Sequence, residues 1–222
     1  MDMGTCSFIK RGDNIYLVTA KHVLYDCDSA SNHIKVKPDM ALLNLLGTLN
    51  ITQLRIPMPT DTCMDEDKDP DLTVIKMDKS LIGKVNTIDE FIIPPLTQFG
   101  KLMIFGQGMK GDSISLRFDQ QHKIEIEENS FTFYSSPPVK DTNFIDSIHI
   151  FIETRKTTVG NWMKGFSGAP VFLRNTKTGG WRFCGIFVQG IYPVSKEFPG
   201  GLILVKPDYI LRNISLTAFQ EK

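Results

Sequence analysis

The chain has 222 residues, 41% of them hydrophobic and 23% charged, a make-up that fits a globular protein and excludes disorder and fibrous repeats. Lys plus Arg and Asp plus Glu number 25 each, so no global field draws in nucleic acid or anionic lipid. The four cysteines, Cys6, Cys27, Cys63 and Cys184, form no C-x-x-C pair and no compact zinc spacing, which argues against a metal centre.

The first residues, Met1-Asp2-Met3-Gly4-Thr5-Cys6, lack a basic stretch followed by an apolar run, so the expectation is a cytosolic protein with reduced thiols. The most apolar window, residues 40–51, falls short of the ~20 residues a membrane-spanning helix needs.

Short runs bounded by Gly, Pro, Asn or Asp predict strands at 6–9, 14–19, 33–36, 53–56, 72–77, 101–105, 113–118, 123–126, 130–134, 147–154, 170–173, 181–188 and 202–206. Lys123-Ile124-Glu125-Ile126-Glu127 alternates apolar and charged residues, as a strand with one face to a core does. Ile92-Ile93-Pro94-Pro95-Leu96 interrupts the pattern twice and marks a crossing between two halves, 1–93 and 94–222. Thr178-Gly179-Gly180 reads as the turn of a hairpin joining 170–173 to 181–188. After Pro207, Ile210, Leu211 and Ile214 fall on one stripe of a short helix expected on the outside of the molecule. The fold class is therefore all-β with a short C-terminal helix.

Three segments carry candidate chemistry. In Leu17-Val18-Thr19-Ala20-Lys21-His22 a strand runs out just before His22, leaving an imidazole where it can face a cleft. In Asp69-Pro70-Asp71-Leu72-Thr73-Val74, Asp71 abuts an apolar strand, where a carboxylate is costly without a hydrogen-bond partner, and is preferred over Asp69. In Lys164-Gly165-Phe166-Ser167-Gly168-Ala169-Pro170-Val171, two glycines let the backbone bend sharply around Ser167 and let a carbonyl approach the Gly165 and Ser167 amides as an oxyanion hole.

The order His, Asp, Ser with Thr-Ala-x-His, Asp-Leu-x-Val and Gly-x-Ser-Gly-x-Pro-Val resembles the chymotrypsin-like serine peptidases, including their intracellular and bacterial branches. The resemblance runs from about Gly4 to the terminal helix and implies two antiparallel β-barrels with a cleft between them. It implies a His22-Asp71-Ser167 triad in which His22 is the general base, Asp71 orients it and Ser167 is the nucleophile of an acyl-enzyme. By matching positions it sets Asn161, Val188 and Gly190 near the substrate pocket, and Gly185-Ile186-Phe187-Val188-Gln189-Gly190 on the strand lining it. With no acid at 161, an apolar or small side chain is expected in that pocket. The chain departs from the family at Phe166, where most activated members carry an acid that pairs with a newly cut amino terminus, so no activation step of that kind is expected. Ala169 replaces the usual Gly, Val23 stands where the secreted branch has a cysteine, and the chain starts almost on its first strand.

The implied partner is a protein or peptide substrate, with no cofactor, metal, nucleic acid or membrane span. The other reading is a non-catalytic module of the same fold binding a partner in its cleft. An α/β-hydrolase elbow fails because Ala169 breaks Gly-x-Ser-x-Gly and His comes first in the chain. Asp65, Asp67 and Asp69 fit the first calcium-loop positions, but Pro70 and Lys76 fall where Gly and Glu are needed. The short basic pairs, the remaining histidines His33, His122 and His149, the Phe131-Phe133-Tyr134 aromatics and the glycosylation-type triplets at Asn50 and Asn213 are read as ordinary surface or strand features.

Overall fold

The computed structural model describes residues 4–28, 33–36, 41–42, 52–53, 70–83, 85, 87–88, 101–106, 116–118, 124–126, 129–134, 148–153, 165–174, 179–191 and 200–219. In chain order the elements are β1 (Ser7–Arg11), β2 (Asn14–Ala20), a one-turn helix α1 (Lys21–Leu24), β3 (Tyr25–Asp28), β4 (His33–Val36), β5 (Ala41–Leu42), β6 (Thr52–Gln53) and β7 (Leu72–Lys76). They continue with β8 (Lys101–Gly106), β9 (Leu116–Phe118), β10 (Ile124–Ile126), β11 (Asn129–Tyr134), β12 (His149–Glu153), β13 (Pro170–Arg174), β14 (Trp181–Ile191), β15 (Gly201–Val205) and α2 (Pro207–Phe219). The protein is mostly strand with a short C-terminal helix. The run at Ile92–Leu96, the acidic stretch Asp65–Asp69, Asn50, His122, Arg155-Lys156 and Asn161 lie outside the described residues.

Two antiparallel sheets carry the architecture: a three-stranded sheet in the order β1-β2-β7, and a six-stranded sheet in the order β11-β8-β13-β14-β15-β12. Among the described residues neither closes into a barrel. β13 folds back on β14 through the expected hairpin, although Phe172 faces Phe183 while Val171 faces Gly185, a bulge at Cys184. A second bulge, at Val188, interrupts the pairing of β14 with β15.

β2 is central and buried on both faces, which explains its almost unbroken apolar run. Tyr16, Val18 and Ala20 point one way, into a cluster with Ile9, Phe183, Ile186, Val188, Val205, Ile210 and Ile214; Leu17 points the other way, to Leu24, Tyr25, Ile34 and Ile75. A third cluster, including Ile104, Ile150, Phe166, Ala169, Val171, Phe187 and Leu204, belongs to the six-stranded sheet.

The helix departs from expectation. It runs to Phe219, and it does not lie outside: Ile210 and Ile214 are buried among residues of β1, β2, β14 and β15. Those neighbours expose an apolar surface only when the two sheets meet, so the sequence stripe alone did not reveal what would cover it.

Candidate active site

The pairing of β2 with β7 fixes the first half of the site. Ala20 is opposite Leu72, so the next residues outward, Lys21 and Asp71, meet where both strands end. There the chain of β2 turns into α1, whose N-cap Ala20 has no side chain to satisfy the free amides of a first helical turn. Asp71 supplies the acceptors from across the sheet: Lys21 N–H donates to its carbonyl at 3.1 Å and His22 N–H to Oδ1 at 3.0 Å.

The other carboxylate oxygen, Oδ2, lies 2.6 Å from His22 Nδ1. A carboxylate only accepts, so Nδ1 is the donor of this bond and Nε2 is the ring nitrogen left without a part in it. The His22 side chain is 41% exposed against 22% for Asp71, so the imidazole is open to solvent while its partner sits deeper. Asp71 is also the one non-glycine residue with positive φ among the described residues, at 49°. That left-handed conformation is tolerated by Asp better than by most residues, and here three hydrogen bonds to Lys21 and His22 hold it. His149 Nε2, from β12, meets the Pro70 carbonyl just before it at 3.3 Å.

The second half is the turn at residues 165–168. Gly165 and Gly168 have φ of 90° and 87°. At Gly168 glycine is required twice over, because a Cβ there would sit 2.0 Å from Thr5 O and 2.2 Å from Thr19 Oγ1. The turn is closed by Ala169 N–H donating to Phe166 O at 2.8 Å, and stitched to β14 by Gly168 N–H to Phe187 O at 2.7 Å and Phe187 N–H to Ala169 O at 2.9 Å. Phe166 is fully buried in the core of the six-stranded sheet, where an acidic side chain has no place.

The two halves touch through the amino-terminal segment. Thr5 N–H donates to Ser167 O at 2.8 Å, Thr5 Oγ1 to Gly165 O at 2.8 Å, and Thr19 Oγ1 to Thr5 O at 2.7 Å; Ser7 Oγ reaches Gly168 O at 3.3 Å. Ser167 is thereby held beside the end of β2, where Ala20 and Lys21 separate Thr19 from His22. Among the described residues, neither Ser167 Oγ nor His22 Nε2 makes a hydrogen bond, to one another or elsewhere, and the Gly165 and Ser167 amides donate to no acceptor.

Of the residues assigned to the substrate pocket, Val188 buries its side chain in the cluster between the sheets, and Gly190 is partly exposed on β14. Thr5 and His149 carry no local signal for their parts here, and Thr19, though within Thr-Ala-x-His, has none for its bond to Thr5. Each acts through a hydrogen bond to a distant segment, Thr5 and Gly165 being 160 positions apart.

Compared with family models and with curated proteins, the chain matches none.

Proposed function

We propose that the chain is a serine endopeptidase of the chymotrypsin-like type, acting through His22, Asp71 and Ser167. The observation that carries this reading is the doubly anchored Asp71 carboxylate, one oxygen on the His22 amide and the other on Nδ1, at the strand end against which the Ser167 turn is packed. A carboxylate so placed fixes both the tautomer and the direction of the ring, which is what a general base needs in order to receive a hydroxyl proton at Nε2.

In this reading Ser167 Oγ attacks the substrate carbonyl and its proton passes to His22 Nε2. The oxyanion that forms is met by the amides of Gly165 and Ser167, which have no acceptor of their own among the described residues. His22 then hands the proton to the leaving amine as the peptide C–N bond breaks. Water, deprotonated by the same imidazole, releases the acyl group and restores the Ser167 hydroxyl.

One feature of the six-stranded sheet supports the wider assignment. β14 continues to Ile191 past its last contact with the nucleophile turn at Phe187, and no strand lies on that side among the described residues. An extended substrate would pair with that edge. We read the two main sheets as the walls of two barrels with the site between them.

The missing hydrogen bond between Ser167 Oγ and His22 favours the alternative, a binding module that kept the cleft without the chemistry. Such bonds are often loose in free enzymes and tighten on substrate, so the reading is decided by reactivity. A fluorophosphonate probe is expected to label the folded protein covalently and to fail on Ser167→Ala. A folded wild-type protein that takes no label overturns the peptidase and leaves the binding module.

A further inference from the structure

Thr5 has none of the three chemical roles, yet it touches both halves of the site. Its amide and hydroxyl donate to Ser167 O and Gly165 O, each at 2.8 Å, while its carbonyl accepts from Thr19 Oγ1 at 2.7 Å. Thr19 is fully buried in β2, so this last bond ties Thr5 to a rigid strand. Resting on the peptidase reading, we propose that Thr5 is a positioning residue whose hydroxyl sets the geometry of the oxyanion turn and locks that turn to the strand leading to His22.

A peptide unit is rigid, so a hydrogen bond to its carbonyl also fixes its N–H. Ala169 N–H holds Phe166 O at 2.8 Å and so sets the plane carrying the Ser167 amide. The Thr5 hydroxyl holds Gly165 O and so sets the plane that joins the two oxyanion donors. Gly165, at φ 90°, has the wide backbone freedom of glycine and gains no direction from a side chain. The restraint therefore comes from outside it, from a β-branched residue with few rotamers of its own.

Losing this hydroxyl would leave the amides in place but less well aimed. Interactions realised only in the transition state would weaken while ground-state binding stayed. Gly165 and Ser167 keep their N–H groups, so the effect should be smaller than the ~10²–10³ loss that follows removal of an oxyanion donor itself.

The test compares wild type, Thr5→Val and Thr5→Ser, all as the full chain, in saturation kinetics of fluorophosphonate labelling at Ser167. Thr5→Val, which keeps the shape and drops the hydroxyl, is expected to lower the maximal labelling rate about tenfold or more while the half-saturating probe concentration stays within about twofold. Thr5→Ser is expected to restore the rate. Circular dichroism establishes that each variant is folded, and if Thr5→Val is not, Thr5→Ala is read by the same criteria. A wild type that labels alongside an equally fast Thr5→Val, or a Thr5→Ser as slow as Thr5→Val, overturns the role of Thr5 and leaves the peptidase standing. A folded wild type that takes no label overturns the peptidase reading, and the role of Thr5 falls with it.

Discussion

Asp71 combines a structural task with, on the proposed reading, a chemical one in the same side chain, and a single substitution separates them. Oδ1 caps the His22 amide and Oδ2 faces Nδ1 at 2.6 Å. In Asp71→Asn the amide oxygen still caps the helix, but the amide nitrogen placed against the ring is a donor, so the hydrogen moves to Nε2 and the base is occupied. On the proposed reading kcat on a peptide substrate is expected to fall by about 10⁴, the scale known for this exchange in triad enzymes, with the fold intact. Nitrogen chemical shifts of the His22 ring give an independent check: the hydrogen should sit on Nδ1 in the wild type and on Nε2 in the variant. An unchanged tautomer in Asp71→Asn would contradict the assignment whatever the activity.

At the scale of elements, α2 is where burial has the clearest energetic consequence. Ile214 is 3% exposed and Leu216 is 56% exposed on the same helix. Ile214→Ala is expected to cost about 2–5 kcal/mol in urea unfolding, through lost burial and the cavity left behind. Leu216→Ala should stay within about 0.5 kcal/mol. Equal effects would show that the helix does not pack as described. This element also marks the boundary of what was legible beforehand. The apolar stripe and Pro207 revealed the helix, but its neighbours come from strands as remote as β1, so its burial was not written locally. β3 is not legible even though Tyr25-Asp26-Cys27-Asp28 alternates in the right period, because a strand directly after a helical turn has no Gly or Pro to announce it. Most other strands were readable, their short β-branched runs being bounded by turn residues. In the candidate site, the sequence distinguishes Asp71 from Asp69 because a carboxylate abutting a buried strand needs a partner. The Thr5 bonds, spanning most of the chain, had no counterpart in any local pattern.

Three apolar clusters hold the described residues together, and one of them joins β1 and β2 to β14, β15 and α2. Two thiols belong to these interiors: Cys184 is buried beside Phe187 and Leu204, and Cys6, partly buried as a residue, packs against the cluster around Leu17. Desolvation by burial pushes both up to about 12 from an ordinary 9.0, a backbone hydrogen bond opposing it at Cys184. The folded state thus holds these protons more tightly than the unfolded chain. Their contribution to stability is complete below pH 9.0 and is lost as pH rises towards about 12. Each thiol should steepen the alkaline loss of stability by about 1.4 kcal/mol per pH unit within that window. Thermal or urea unfolding measured from neutral to alkaline pH is expected to show the decline, and Cys184→Ala to make it shallower even though the variant starts from a lower stability. An identical slope in the variant would remove Cys184 from this account.

Phe166 gives the neighbourhood of Ser167 a thermal character. Where an ion pair secures a reactive turn, salt and the protonation of an amino group govern its order. Here an aromatic ring with no exposed surface holds the turn alongside its hydrogen bonds, and burial of that kind is not screened as an ion pair is but weakens as water is cooled. The apolar share of the turn's order therefore fades in the cold and not through charge screening.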